Sequence, residues 1–162
     1  MNKKMFIFLA ILLPNLAFSA DLRGRLGVGL SNQLANELPA ISVKLQESAT
    51  FALGGILGFQ SNKNQTLYGA GLKVYRIIFD EPQLNFYMAG LLAAENYLND
   101  GKAKSGFQMD GTMGTEFHLQ GLESIGFSFE FGLSVRNSNN TEGTSFQTLG
   151  DQFLRAAVHF YL

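Results

Sequence analysis

Two histidines, His118 and His159, are the side chains of this sequence best suited to moving a proton near neutral pH. His118 has Glu116 before it and Ser124 after it, a trio that can be drawn as a hydroxyl, a base and an orienting carboxylate. A general base must lie within hydrogen-bond reach of the proton it takes. The spacing fits a turn histidine satisfied by a neighbour better than that geometry, so no catalytic residue is assigned. Two separated histidines and no cysteine supply no metal-ligand cluster, and Asp80-Glu81 and Asn99-Asp100 read as turn residues. Gly27-Val28-Gly29 is not followed by a helical pattern, which removes a dinucleotide reading, and no cofactor is expected. With 12 basic and 13 acidic residues the chain has no field to hold a polyanion, which argues against nucleic acid. The absence of cysteine also excludes disulfides and a lipid-modified N-terminal cysteine.

The elements that must position these residues read as strands. Residues 1–20 have the layout of a secretory signal peptide: Lys3 and Lys4, an apolar run from Met5 to Leu13, then the small-residue end Ala17-Phe18-Ser19-Ala20. Cleavage is expected after Ser19 or Ala20, and the apolar run is too short to span a membrane as a helix. Residues 21–162 form the second unit, in which apolar residues recur with period two over eight stretches. The first runs from Leu22 and the second covers Ile41, Val43 and Leu45. The third runs from Phe51 to Gln60 with Ile56 on the opposite face, the fourth from about Leu67 to Phe79, and the fifth from about Leu84 to Glu95, broken by Tyr87 and Leu91. The sixth covers Phe107 to Leu119, the seventh Ile125 to Arg136, and the eighth runs from Leu154 to the final residue, Leu162. Longer polar connections (Ser31 to Glu37, Ser61 to Gln65, Asn99 to Gly106, Asn137 to about Gly150) alternate with short ones (Glu47 to Ala49, Asp80 to Gln83, Gln120 to Ser124).

One face of these strands is Phe, Leu, Met and Val; the other is mostly Gly, Ser, Ala and Gln with sparse charges. A soluble sheet would show a solvent face dense in Lys, Glu and Thr. The observed face suits a narrow lumen filled by side chains, and the apolar face suits lipid. The expected fold is therefore all-β: a closed, eight-stranded, antiparallel up-and-down transmembrane β-barrel, in which closure satisfies every backbone polar group. By parity Arg23, Arg25, Lys44, Lys73, Arg136 and Arg155 point inward with Glu95, Asp110, Glu116 and Glu130. Buried charges must be paired and hydrogen-bonded. Strand ends place Glu116, Glu130, Arg155 and Arg25 at similar depth, so an Arg/Glu network plugging the barrel is expected, and a filled interior leaves no ion path. Arg76 falls on the lipid side by strict parity, near the Asp80-Glu81-Pro82 turn, and either snorkels to the interface or is turned inward by a bulge.

A signal peptide, eight period-two strands, alternating connections and a terminal strand ending Val158-His159-Phe160-Tyr161-Leu162 resemble the small OmpA/OmpX-type outer-membrane β-barrels. That family's last strand usually ends in an aromatic residue, whereas here Leu162 is terminal and Phe160 precedes it. The resemblance rests on architecture over the whole of residues 21–162. It implies a Gram-negative-type cell outer membrane, periplasmic termini and short periplasmic turns, polar loops outside, lipid as the surrounding partner, and a monomer. It also implies a structural or surface-interaction role. Small barrels of this kind include a palmitoyltransferase and a deacylase of lipid A, so a barrel-embedded lipid-modifying enzyme is an alternative. Neither histidine here carries the deacylase's serine-asparagine pair. A soluble periplasmic barrel binding a small apolar ligand is the third reading. The best place for an extracellular partner is the longest loop, with Asn137, Asn139, Asn140, Glu142 and the apolar Phe146.

Overall fold

Period-two alternation puts successive side chains on opposite faces of a strand, and in the computed structural model these strands curl into a closed ring. The structure describes residues 22–35, 38–63, 65–99, 102–138, 144–149 and 154–162. Residues 1–20, read above as a signal peptide, and the expected cleavage point lie outside the described residues. The strands are β1 Leu26–Ser31, β2 Ala40–Gln46, β3 Phe51–Ser61, β4 Gln65–Glu81, β5 Leu84–Asn99, β6 Lys102–Leu119, β7 Leu122–Ser138, β8 Thr144–Thr148 and β9 Arg155–Tyr161. Each of β1 to β7 pairs antiparallel with the next, and β9 pairs with both β7 and β1, which closes an eight-stranded barrel. The all-β, closed, antiparallel eight-strand architecture is thus the one that the alternation predicts, with one strand added.

The added strand is β8. The segment after Asn137 was expected to be loop as far as Gly150, yet β7 continues to Ser138 and Thr144–Thr148 pairs with its upper half, Thr144 opposite Asn137 and Thr148 opposite Leu133. The physical reason is an open edge. Along β7, β9 reaches no higher than the Glu130–Arg155 pair, which leaves Leu133 to Asn137 without a neighbour on that side. Thr144, Phe146 and Thr148 are strand-favouring residues, although the segment is too polar to read as a strand by hydrophobicity. For the same reason the Asn99–Gly106 connection is mostly strand, since β6 begins at Lys102.

Strict parity extends further than the sequence reading allowed. Tyr87 and Leu91, which break the apolar pattern of β5, are inward and buried, as is Ile56 of β3. Arg76 is exposed on the outer face and donates to Thr50 Oγ1 at 3.2 Å; the register shift of β4 falls between Ile77 and Phe79, beyond it.

Closure depends on a close backbone approach between β1 and β9. A Cβ at Gly29 would lie 1.7 Å from the carbonyl oxygen of Val158, so any side chain forces the strands apart. Gly29→Ala is expected to disrupt the β1–β9 seam and sharply lower the yield of refolded barrel, read as loss of the compact species on unheated SDS gels. A yield equal to the unaltered protein would show that the seam tolerates the methyl group.

Candidate functional site: the packed lumen and its outer mouth

Register builds the centre of the lumen. Lys44 of β2 and Lys73 of β4 both stand opposite Gly54 of β3, so two ammonium groups leave one rung of the wall on either side of a residue without a side chain. Like charges so placed repel. They are held by carboxylates from the facing wall. Lys44 Nζ lies 2.5 Å from Glu116 Oε2, and Lys73 Nζ lies 2.6 Å from both oxygens of Glu130. Glu130 also accepts from the Tyr87 hydroxyl at 2.8 Å and the Thr112 hydroxyl at 2.9 Å, and Glu116 accepts from Tyr161 at 2.7 Å. The Tyr75 ring lies beneath both ammonium groups, with centroids 4.8 Å from Lys44 Nζ and 4.9 Å from Lys73 Nζ. All four charged side chains are at most 4% exposed. Each of the four buried charges thus meets an opposite charge together with further polar or aromatic contacts.

Glu116 and Glu130, expected among arginines, are paired with Lys44 and Lys73, which the same inward count places in the lumen. Arg25 sits at the lower rim, donating to the carbonyl oxygens of Tyr161 at 2.7 Å and Leu162 at 3.3 Å and to Ser124 Oγ at 3.2 Å. Arg23 is exposed in the turn before β1. Arg155 is buried, stands opposite Glu130 in register and donates from Nη1 to Asn32 O at 2.6 Å. Asp110 is buried and accepts from Gln108 Nε2 at 2.5 Å. The reason is reach: lysines on β2 and β4 cross the narrow lumen to β6 and β7, and sequence depth says nothing about which walls face each other.

The structure also joins a trio that sequence reasoning missed. Ser42 Oγ and His159 Nε2 are 2.9 Å apart, and His159 Nδ1 lies 3.9 Å from Glu116 Oε1. The order hydroxyl, imidazole, carboxylate matches a nucleophilic triad, and inward parity of all three positions was the available signal. The surroundings do not suit the chemistry. The adjoining cavity measures about 10 Å³, room for a single water and no acyl group. Glu116 is committed to Lys44 and Tyr161. His118, by contrast, is brought to neither Ser124 nor Glu116: its Nδ1 lies 3.1 Å from the carbonyl oxygen of Ile125.

The largest correction concerns the connection from Ser31 to Glu37. It was expected among the polar outer loops, but its described part, as far as Ala35, enters the barrel. Leu34 and Leu38 are buried against Ala40, Ile56, Leu67, Leu91 and Ala93. The lining makes room for them: a Cβ at Gly58 would lie 2.8 Å from Leu34 Cδ1 and from Leu38 Cδ2. Backbone groups carried inward must find partners. Ala35 N donates to Glu95 Oε1 and Gln108 Oε1, each at 2.8 Å; Gln108 Nε2 donates to Gln33 O at 3.0 Å; and Lys73 Nζ donates to Gln33 Oε1 at 2.6 Å.

Above this inserted segment the barrel opens into a cleft of about 310 Å³, floored by Ala35, Leu38 and Leu67 and lined by Glu95, Lys104 and Arg136. Of the expected partner-loop residues, Asn137 is in β7 and donates from Nδ2 to Thr144 Oγ1 at 3.1 Å, while Phe146 is 70% exposed on the face it shares with Val135. Asn139, Asn140 and Glu142 lie outside the described residues. Among the described residues no group of three or more His, Cys, Asp or Glu is placed to hold a metal ion. No protein-family model, curated protein or solved structure matches this chain.

Proposed function

We propose that this protein is an integral outer-membrane β-barrel whose lumen is plugged by its own side chains and by the inserted β1–β2 segment, with a structural or surface-contact role and no chemical step of its own. The inversion of its two faces carries this reading. Among the described residues thirty large apolar side chains are exposed, Leu72 to 76% and Phe59 to 69%, while Lys44, Lys73, Glu116 and Glu130 are sealed inside. Water would oppose such a surface, since soluble monomers rarely expose contiguous apolar patches above a few hundred Å². Hydrocarbon would favour it. Pairing around the full ring supports the same reading, because a spanning sheet must have no unpaired edge in lipid, and so does the resemblance to small OmpA/OmpX-type barrels. On this reading the turns at residues 47–50, 82–83 and 120–121 and the C-terminus face the periplasm, the protein acts as a monomer, and lipid is its principal partner.

The test is detergent dependence. The protein is expected in the membrane fraction, to need detergent for solubility, and to run faster on SDS gels unheated than boiled. Recovery as a soluble species without such a shift would replace this reading with a soluble barrel. Lipid A from cells with and without the protein is expected to give one mass spectrum; an acyl chain gained or lost would indicate lipid-modifying chemistry instead.

A further inference from the structure

At the outer end of the barrel, β5, β6 and β7 leave unlike charges on either side of a gap. Register sets Glu95 of β5 opposite Gly106 of β6, and Gln108 of β6 opposite Arg136 of β7. Gly106 in turn stands opposite Ser138, so Arg136 lies two residues further down β7 than Glu95's rung, with the inward side chain of Gln108 beside it. No ion pair joins Glu95 to Arg136. Glu95 Oε1 accepts from Ala35 N at 2.8 Å. With its amide turned to suit the guanidinium, Gln147 accepts from Arg136 Nη1 at 3.0 Å and Nε at 3.3 Å, while Nη2 is buried without a hydrogen-bond partner. Lys104, the register partner of Tyr97, adds a second cation at the rim. The floor beneath is apolar.

We infer that this cleft binds a small zwitterion of free amino-acid or dipeptide size, with its carboxylate on Arg136 and Lys104, its ammonium on Glu95 and its side chain on Leu38 and Leu67. A simple anion would meet the Glu95 carboxylate, and a simple cation would meet Arg136 and Lys104. A neutral polar molecule would leave both charges without a counter-charge in a half-enclosed site, where charge-assisted hydrogen bonds are the strong ones. A volume of about 310 Å³ lies at the lower end of small-molecule pockets. The inference goes beyond the plugging role and depends only on the folded barrel wall and the inserted segment, not on the membrane.

The test uses the folded protein in a non-ionic detergent, with leucyl-leucine, its N-acetyl derivative and its C-terminal amide as probes. Backbone amide shifts of Ala35, Tyr97 and Ser145 are the readout. Leucyl-leucine is expected to give saturable shifts, and each blocked derivative to bind roughly tenfold more weakly, the scale of one lost charge-assisted hydrogen bond. Arg136→Gln should weaken leucyl-leucine similarly and erase its advantage over the amide. Glu95→Gln should erase its advantage over the N-acetyl derivative. A retained gel shift on heating shows that each variant is folded; if one does not fold, the blocked derivatives on the unaltered protein decide. Absence of saturable shifts up to about 10 mM, weaker than any useful affinity, would overturn the inference. So would equal binding of the blocked and free peptides.

Discussion

Replacing Glu130 with alanine is expected to destabilise the folded barrel by about 3–5 kcal/mol, the cost of orphaning a buried charge. The substitution removes the acceptor of three side chains at once. Lys73 Nζ loses both carboxylate oxygens at 2.6 Å, Tyr87 loses its partner at 2.8 Å and Thr112 its partner at 2.9 Å. Lys73 is 4% exposed, and it shares a rung with Lys44, whose repulsion Glu130 helps to offset. Urea titration of the refolded protein measures the loss. Removing both charges, as in Lys73→Met with Glu130→Leu, is expected to cost less than Glu130→Ala alone, because apolar replacement of a complete buried pair is often close to neutral. A single-variant loss below about 1 kcal/mol, the scale of an exposed pair, would remove the Lys/Glu network as the centre of the lumen.

Leu34→Ala is the second large effect. Leu34 is fully buried, packed with Leu38 among Ile56, Leu67, Leu91 and Ala93, and truncation of such a residue costs about 2–5 kcal/mol. Where the loss appears depends on whether the inserted segment can leave the lumen separately. Its polar anchors at Gln33 and Ala35 hold it to Lys73, Glu95 and Gln108. If the segment and wall unfold together, the urea midpoint falls; if the segment detaches, amide exchange at Ala35 and Leu38 accelerates while the wall keeps its protection. Either result shows Leu34 holding the plug in place. Unchanged stability and unchanged exchange together would show that the buried segment contributes nothing to holding the barrel shut.

Much of the arrangement was legible residue by residue. The inward placement of Lys44, Lys73, Asp110, Glu116 and Glu130 follows from counting by two. Counting by two, applied without exceptions, also places Tyr87, Leu91 and Ile56 correctly, because an inward position in a narrow barrel takes a large apolar group as readily as a glycine when a small residue faces it. Gly114 is such a residue: a Cβ there would lie 2.9 Å from the Tyr87 ring. Parity likewise places Ser42 and His159 on the inner face but not against each other. Arg76 stays outward because the irregularity in β4 comes after it.

By itself, the sequence determined eight of the nine strands, the alternation of faces along them and the closed antiparallel ring, because these follow from local periodicity and from the need to pair every backbone group. Tertiary structure decided what the faces meet. Lys73 finds Glu130 across the lumen, Ser42 finds His159, and Thr144–Thr148 becomes a strand because β7 offers it an edge. The segment with Leu34 and Leu38 turns inward because Gly58 leaves room and Glu95 and Gln108 supply acceptors for Ala35 N. These contacts join positions 60 and 73 residues apart along the chain to Ala35. They are set by the diameter of the closed ring and the lengths of the side chains crossing it, quantities that exist only once the barrel has closed.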